Sequence, residues 1–237
     1  VRAETQTESP FKQAVAAAKA NIVPAMGLWA VAAAIIIAYY NHAPTQGVFD
    51  RIAKVKESYG YAFSAISTPI FAVLFPLAIQ RLINALRSKR MHVEPWSNVP
   101  LMAVFWAYRG AEIDGLYRLQ TWAWGEGKDF WTLAGQVAID QGVYVLLWAI
   151  PTIVLVLLFK DCGRSVSRTR RELGHHWYRT RCVPILFVNW VVWIPVVVVI
   201  YSLPPGLRVP VMNINVCLFM LLVMFLTRGD RELEPAP

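Results

Sequence analysis

Four charged residues fall within the run RGAEIDGLYR, Arg109–Arg118, directly after the apolar stretch NVPLMAVFWAY. At membrane depth each such charge costs about 2.5 to 3.5 kcal/mol, so it is normally turned inward and paired. On a helix advancing about 100° per residue, Arg109 and Glu112 lie on adjacent faces, as do Asp114 and Arg118. Glu112 and Asp114 point about 200° apart, so both line one narrow path only if the helix breaks, and Gly110 and Gly115 are where it would. Two chemistries fit. One is a polar cluster that locks helices together through ion pairs and hydrogen bonds. The other is a water-accessible path whose selectivity is set by its lining charges.

Asp140–Gln141, in VAIDQGVYVLLWAIP, poses the same choice more sharply. A lone acid in a long apolar run must find a donor on another helix, and Arg81 or Arg109 is the natural one. A fixed salt bridge is expected ahead of a proton relay. Arg81, beside Gln80, has the simpler alternative of snorkelling from a span end. Asn189, in an apolar run of its own, is expected to hydrogen-bond across helices.

Other chemistries are excluded by pattern. His175–His176 with Cys162 and Cys182 lacks CxxC or HxxxH spacing, and adjacent histidines point apart on a helix. No Gly-rich phosphate loop, GxSxG or HExxH is present. No catalytic, cofactor or metal site is expected, and the chain is read as a non-enzyme. Cys162, Cys182 and Cys217 show no paired spacing, and the first two would sit on a reducing side.

The elements that carry these residues follow from composition. The chain has 237 residues, 57% of them hydrophobic and 16% charged, with mean hydropathy +0.43. That balance belongs to membrane proteins. A bilayer core about 30 Å thick takes a helix of roughly 20 apolar residues. Ile22–Asn41, Tyr61–Gln80, Phe130–Phe159, Val183–Leu203 and Val209–Thr227 qualify, and the charged segment Asn98–Arg118 makes a sixth span. The expected fold is an all-α, multi-pass transmembrane bundle of about six spans in one compact body, with no separate soluble domain. His42–Gly60, Arg87–Ser97 and Thr121–Asp129 read as short loops. Lys160–Arg181 is longer, and RSVSRTRRELGHHWYRT suits an interfacial helix whose basic face meets anionic lipid head groups.

With six spans, the loop and tail Lys and Arg divide fifteen to five, so both termini are expected on the cytoplasmic or matrix-like side. The net charge of +8 lies mostly on that face and calls for no nucleic-acid ligand. Residues 1–21 read as a polar, trimmed start, and the first span as an uncleaved helix.

The order Asn189–Trp190, Trp193, Pro195, Tyr201, Pro204–Pro205 and Arg208 resembles the C-terminal signature of the Mpv-seventeen / 22-kilodalton peroxisomal membrane protein family. Upstream, Gly110–Tyr117 is similar to that family's glycine–proline…tryptophan–tyrosine segment, and Asp140–Gln141 to its aspartate–glutamine pair. The likeness covers residues 61–227. It leaves 22–60 as an extra N-terminal helix and loop and 228–237 as a tail. Ala111, Asp114, Leu116, Ile194 and Ile200 depart from the pattern, as in a divergent, bacterial-type relative. The resemblance implies a small membrane protein of the mitochondrial inner, peroxisomal or bacterial inner membrane. It further implies a weakly selective channel or facilitator for small solutes, tied to membrane or metabolite homeostasis, and assigns no catalytic residue.

The second reading is a non-transporting subunit or scaffold that forms a homo-oligomer or docks on a larger membrane complex. It would do so through aromatic faces bearing Trp122, Trp124, Trp131 and Trp148. A hydrated cavity at the acids favours the first reading. A dry, paired cluster favours the second.

Overall fold

A computed structural model of the chain describes residues 19, 21–86 and 93–232, with side chains, residue 24 apart, as far as residue 221. Arg2, Lys12, Arg87, Lys89, Arg90 and residues 233–237, used in the topology and tail readings, lie outside the described residues. So do the side chains of Arg228 and Arg231. The described chain is helical, with no strand among the described residues. In order it forms α1 (Ile22–Asn41), α2 (Ala43–Tyr59), α3 (Tyr61–Leu86), α4 (Val99–Trp124), α5 (Phe130–Asp161), α6 (Val166–Leu173), α7 (Tyr178–Tyr201) and α8 (Pro205–Glu232).

Four expectations change. By length and composition α3, α5 and α7 can each cross a membrane, and a fourth span is possible only if α1 and α2 count together, across a 102° bend. By that measure the described residues hold three spans, or up to four, against the six expected, and Val209–Thr227 is counted only as far as Leu221. Hydropathy windows do not register the bend at His42. α4 is an unbroken helix of 26 residues, about 39 Å at 1.5 Å per residue and so long enough to cross, but its charges keep it off an apolar count.

The expected loop His42–Gly60 is mostly helix α2. Phe49, Ile52, Ala53 and Lys56 form one stripe on it, Pro44 sits in its first turn, and Gly60 at φ 53° ends it. Likewise the expected loop Thr121–Asp129 begins only after Trp124. Finally, the single body resolves into two compact units. Among the described residues, one comprises those up to Trp29 with Ala134–Val198, and the other those of Ala30–Leu133 with those from Val199.

In the first unit Val145, Ile150, Val154, Cys182 and Leu186 form a core between α5 and α7, and Trp177, Tyr178 and Trp190 pack on it. The Trp29 indole donates to Val192 O at 3.0 Å, tying α1 to α7. In the second unit the start of α8 is the central element. Residues 206–213 are buried without a break, so every face of that helix is covered.

Each of the three apolar helices contains a widened, π-type stretch: Ile70–Leu74, Asp140–Ala149 and Tyr178–Cys182. Each ends two residues before a proline, namely Pro76, Pro151 and Pro184. Proline has no N–H, and its ring clashes with the carbonyl four residues back. Widening the turn relieves the clash, and the amides of Phe75, Ile150 and Val183 reach Ile70 O, Val145 O and Tyr178 O, five residues back.

The cost is one stranded carbonyl per proline. In the i−5 pattern Pro151 would serve Leu146 O, and the Tyr178 hydroxyl donates to that oxygen instead, at 2.8 Å. Tyr178→Phe should therefore cost about 1 to 3 kcal/mol, the penalty for leaving a buried carbonyl unpaired. Thermal unfolding in detergent measures it, and an unchanged midpoint would show that the carbonyl finds another donor.

Candidate functional site

The charged run on α4 is met by α2 and α3. Asp114 is fully buried, and its carboxylate accepts three donors. Lys56 Nζ from α2 lies at 2.8 Å from Oδ1, Arg118 Nε at 3.1 Å from the same oxygen, and Ser64 Oγ from α3 at 2.8 Å from Oδ2. Lys56, itself 5% exposed, brings its ammonium inward because it stands on the apolar stripe of α2. Arg118 keeps close to half of its side chain in the surroundings and lies over the Tyr61 ring at 4.8 Å.

One turn earlier, Arg109 Nη1 donates to Glu112 Oε2 at 3.0 Å, and the guanidinium lies over the Phe105 ring at 5.2 Å. The two acids therefore have different partners on different faces of an unbroken helix.

Such depth requires the helices to approach closely. Gly110 allows it: a Cβ there would overlap Ser64 O and Thr68 Oγ1 and come within 2.7 Å of Thr68 Cβ. Backbone contact at a glycine is the usual way for membrane helices to pack tightly.

The same unit holds Tyr117, Tyr201 and Arg208. Arg208 is 1% exposed near the start of α8. It donates to Thr121 Oγ1 at 2.9 Å and to the carbonyls of Leu203 and Tyr201 at 3.4 Å each. A guanidinium over the last carbonyls of α7 complements the negative end of that helix. Tyr201 also receives Tyr117 edge-on, at 5.4 Å between ring centres. Arg208, expected between two spans as a loop cation, is a buried structural cation instead. Arg81 donates to Glu94 O at 3.3 Å and covers the Trp96 ring at 4.1 Å.

In the first unit, Asp140 and Gln141 open the widened stretch of α5. Gln141 Nε2 donates to Asp140 Oδ1 at 2.8 Å, while Gln141 Oε1 accepts from Asn189 Nδ2 at 3.1 Å. The loosened Gln141 carbonyl accepts the Trp190 indole N–H at 3.1 Å. The structure thus brings together Asp140, Gln141, Asn189 and Trp190. Trp193 is half-buried on the same helix.

Several participants are absent from the sequence reading. Lys56 was counted as a loop cation, although its place in the Phe49, Ile52, Ala53 stripe is a readable sign. Ser64 and Thr68, one turn apart in an apolar span, carry a similar sign. Asn213, which donates to Ser67 Oγ at 2.9 Å, and Asn215 are both 1% exposed on α8 and lie within the expected span Val209–Thr227. His175 and His176 are exposed, and no group of three metal-ligating side chains lies together among the described residues.

No protein-family model matches the chain, and no curated protein or solved structure matches it either.

Proposed function

We propose that this chain is a non-transporting subunit or scaffold of a membrane complex, whose intramembrane charges lock helices to one another instead of lining a path. The observation that carries this is Asp114. It is fully buried and spends both oxygens on Lys56, Ser64 and Arg118. An acid that selects ions must meet water or an ion, and this one meets protein. Outward, Trp122 is 82% and Trp131 78% exposed, with Trp124 and Trp148 also exposed, which suits aromatic contact at a membrane interface or with a partner.

Kinship with the Mpv-seventeen / 22-kilodalton peroxisomal membrane protein family belongs to the same proposal. Among the residues transferred by that likeness, Gln141 meets Asn189 and Trp190, while Tyr117 and Arg208 each lie against the Tyr201 ring. A bacterial inner or organelle membrane completes the reading, with both termini on the cytoplasmic or matrix-like side for an even number of spans.

The channel reading draws on another observation. Thr68 Oγ1, Asn213 Oδ1 and Asn215 Oδ1 are buried and make no hydrogen bond within the described chain. Polar atoms of that kind are what a small solute would meet.

One experiment separates the two. Folded wild-type protein in planar bilayers is expected to give no conductance, and in liposomes no tracer flux. Steady current, with a reversal potential under a salt gradient that moves in a Glu112→Gln, Asp114→Asn variant, would replace the scaffold with a channel.

A further inference from the structure

We propose that the groove where α6 folds back on the end of α5 holds one acyl chain of an anionic phospholipid from the surrounding bilayer, with its phosphate on the arginines of α6. The inference is independent of whether the protein conducts.

The groove has a volume of about 330 Å³, within the range of small-molecule sites. One wall is Leu155, Val156 and Phe159 of α5. The other is Val166, Thr169, Arg170 and Leu173, the i, i+3, i+4, i+7 face of α6. Thr169 donates its hydroxyl to Ser165 O at 2.8 Å, so it turns no unspent donor to the groove. Arg170 is the one charged group in the lining.

A reversal of the chain places α6 there. Gly163 and Arg164 are consecutive residues with φ of 65° and 60°, the left-handed region. For Arg164, which carries a side chain, that conformation is strained. Ser165 then caps the new helix by accepting from Arg168 N at 3.4 Å.

Depth and charge together identify the occupant. α5 is long and apolar enough to cross a bilayer, so its last turns, ending at Lys160–Asp161, reach the head-group level. The groove therefore lies where acyl chains begin and phosphates stand. Val166, at its edge, is 74% exposed at the start of this basic helix, a pairing suited to lipid and not to water.

From residue 160 to 181 the chain has seven Lys and Arg against Asp161 and Glu172. Both acids already lie near bases of the same segment, Asp161 at 3.6 Å from Lys160 and Glu172 at 3.9 Å from Arg181. The remaining charge is positive, and an anionic head group complements it.

Native mass spectrometry of protein released from nanodiscs of equal phosphatidylglycerol and phosphatidylcholine tests the inference. Wild type should retain phosphatidylglycerol in preference, at about one per chain. Neutralising Arg168, Arg170 and Arg171 to Gln should lower that preference by about fivefold per arginine. Val156→Trp, which fills the groove and keeps every charge, should abolish retention. Val166→Asp, at an exposed position that tolerates the change, should lower it by putting a carboxylate at the groove's edge. The inference is overturned if wild type shows no preference. It fails equally if Val156→Trp and Val166→Asp retain as much lipid as wild type, which would mean surface charge alone, or if a co-purifying acidic polypeptide takes the lipid's place.

Discussion

Asp114→Asn should destabilise the protein by about 3 to 5 kcal/mol, because it leaves the Lys56 ammonium buried without a carboxylate. Asn fills the same space and can still hydrogen-bond to Ser64, so the loss reads the charge and not the packing. Lys56 is 5% exposed and cannot recover its hydration without unpacking α2. Arg118 behaves differently at the same carboxylate. Its side chain is 46% exposed, and an exposed i, i+4 pair is worth only about 0.3 to 0.5 kcal/mol, so Arg118→Gln should be nearly silent.

A double variant, Lys56→Met with Asp114→Leu, should recover most of the loss, since apolar side chains of similar volume replace a buried pair at little net cost. Denaturation in a mild detergent gives these stabilities, and the single variants Lys56→Met and Asp114→Leu close the cycle that yields the coupling energy. Asp114→Asn at wild-type stability would remove the ion lock and, with it, the main support for a non-transporting role.

Gly110→Ala should cost about 1 to 3 kcal/mol or more through overpacking. The new methyl has nowhere to go. It would overlap the Ser64 carbonyl, which is backbone, and Thr68, whose Cβ would lie 2.7 Å away. Relief requires α3 and α4 to separate, and that lengthens the Ser64–Asp114 bond at the same time. Gly115→Ala is the matched control on the same helix. Its methyl would meet only Tyr61, at 3.7 and 3.8 Å, ordinary contact. There the gain in helix propensity, about 0.8 to 1.0 kcal/mol, should make the variant as stable as wild type or more so. If both variants melt together, the close approach of α3 to α4 is wrong.

Arg109–Glu112 and Asp114–Arg118 were legible in advance because their geometry is local. Three or four residues along one helix fix which side chains can touch, whatever else the chain does. The all-helical class was legible for a related reason, since long apolar runs in lipid must satisfy their backbone within one segment. The widened stretches were half legible. Pro76, Pro151 and Pro184 announce a disturbed helix, but whether it kinks or widens depends on donors elsewhere, such as Tyr178 for Leu146 O.

What only the tertiary structure decided is who meets whom across the chain. Lys56 and Asp114 are 58 residues apart, and Gln141 and Asn189 are 48 apart. No periodicity encodes either distance. Lys56 was misplaced because α2 is too polar for a hydropathy window, and its apolar stripe has meaning only once α3, α4 and α8 stand around it. Likewise only the structure showed the 102° turn at His42, which composition cannot register because a bend changes direction without changing residue type. The sequence by itself determined that charges inside apolar runs, such as Asp114 and Asp140, would each need a partner, since desolvation depends on residue type. The partners, and so the contrast between a paired Asp114 and an acid open to solute, were decided by packing, because burial depends on what the other helices bring.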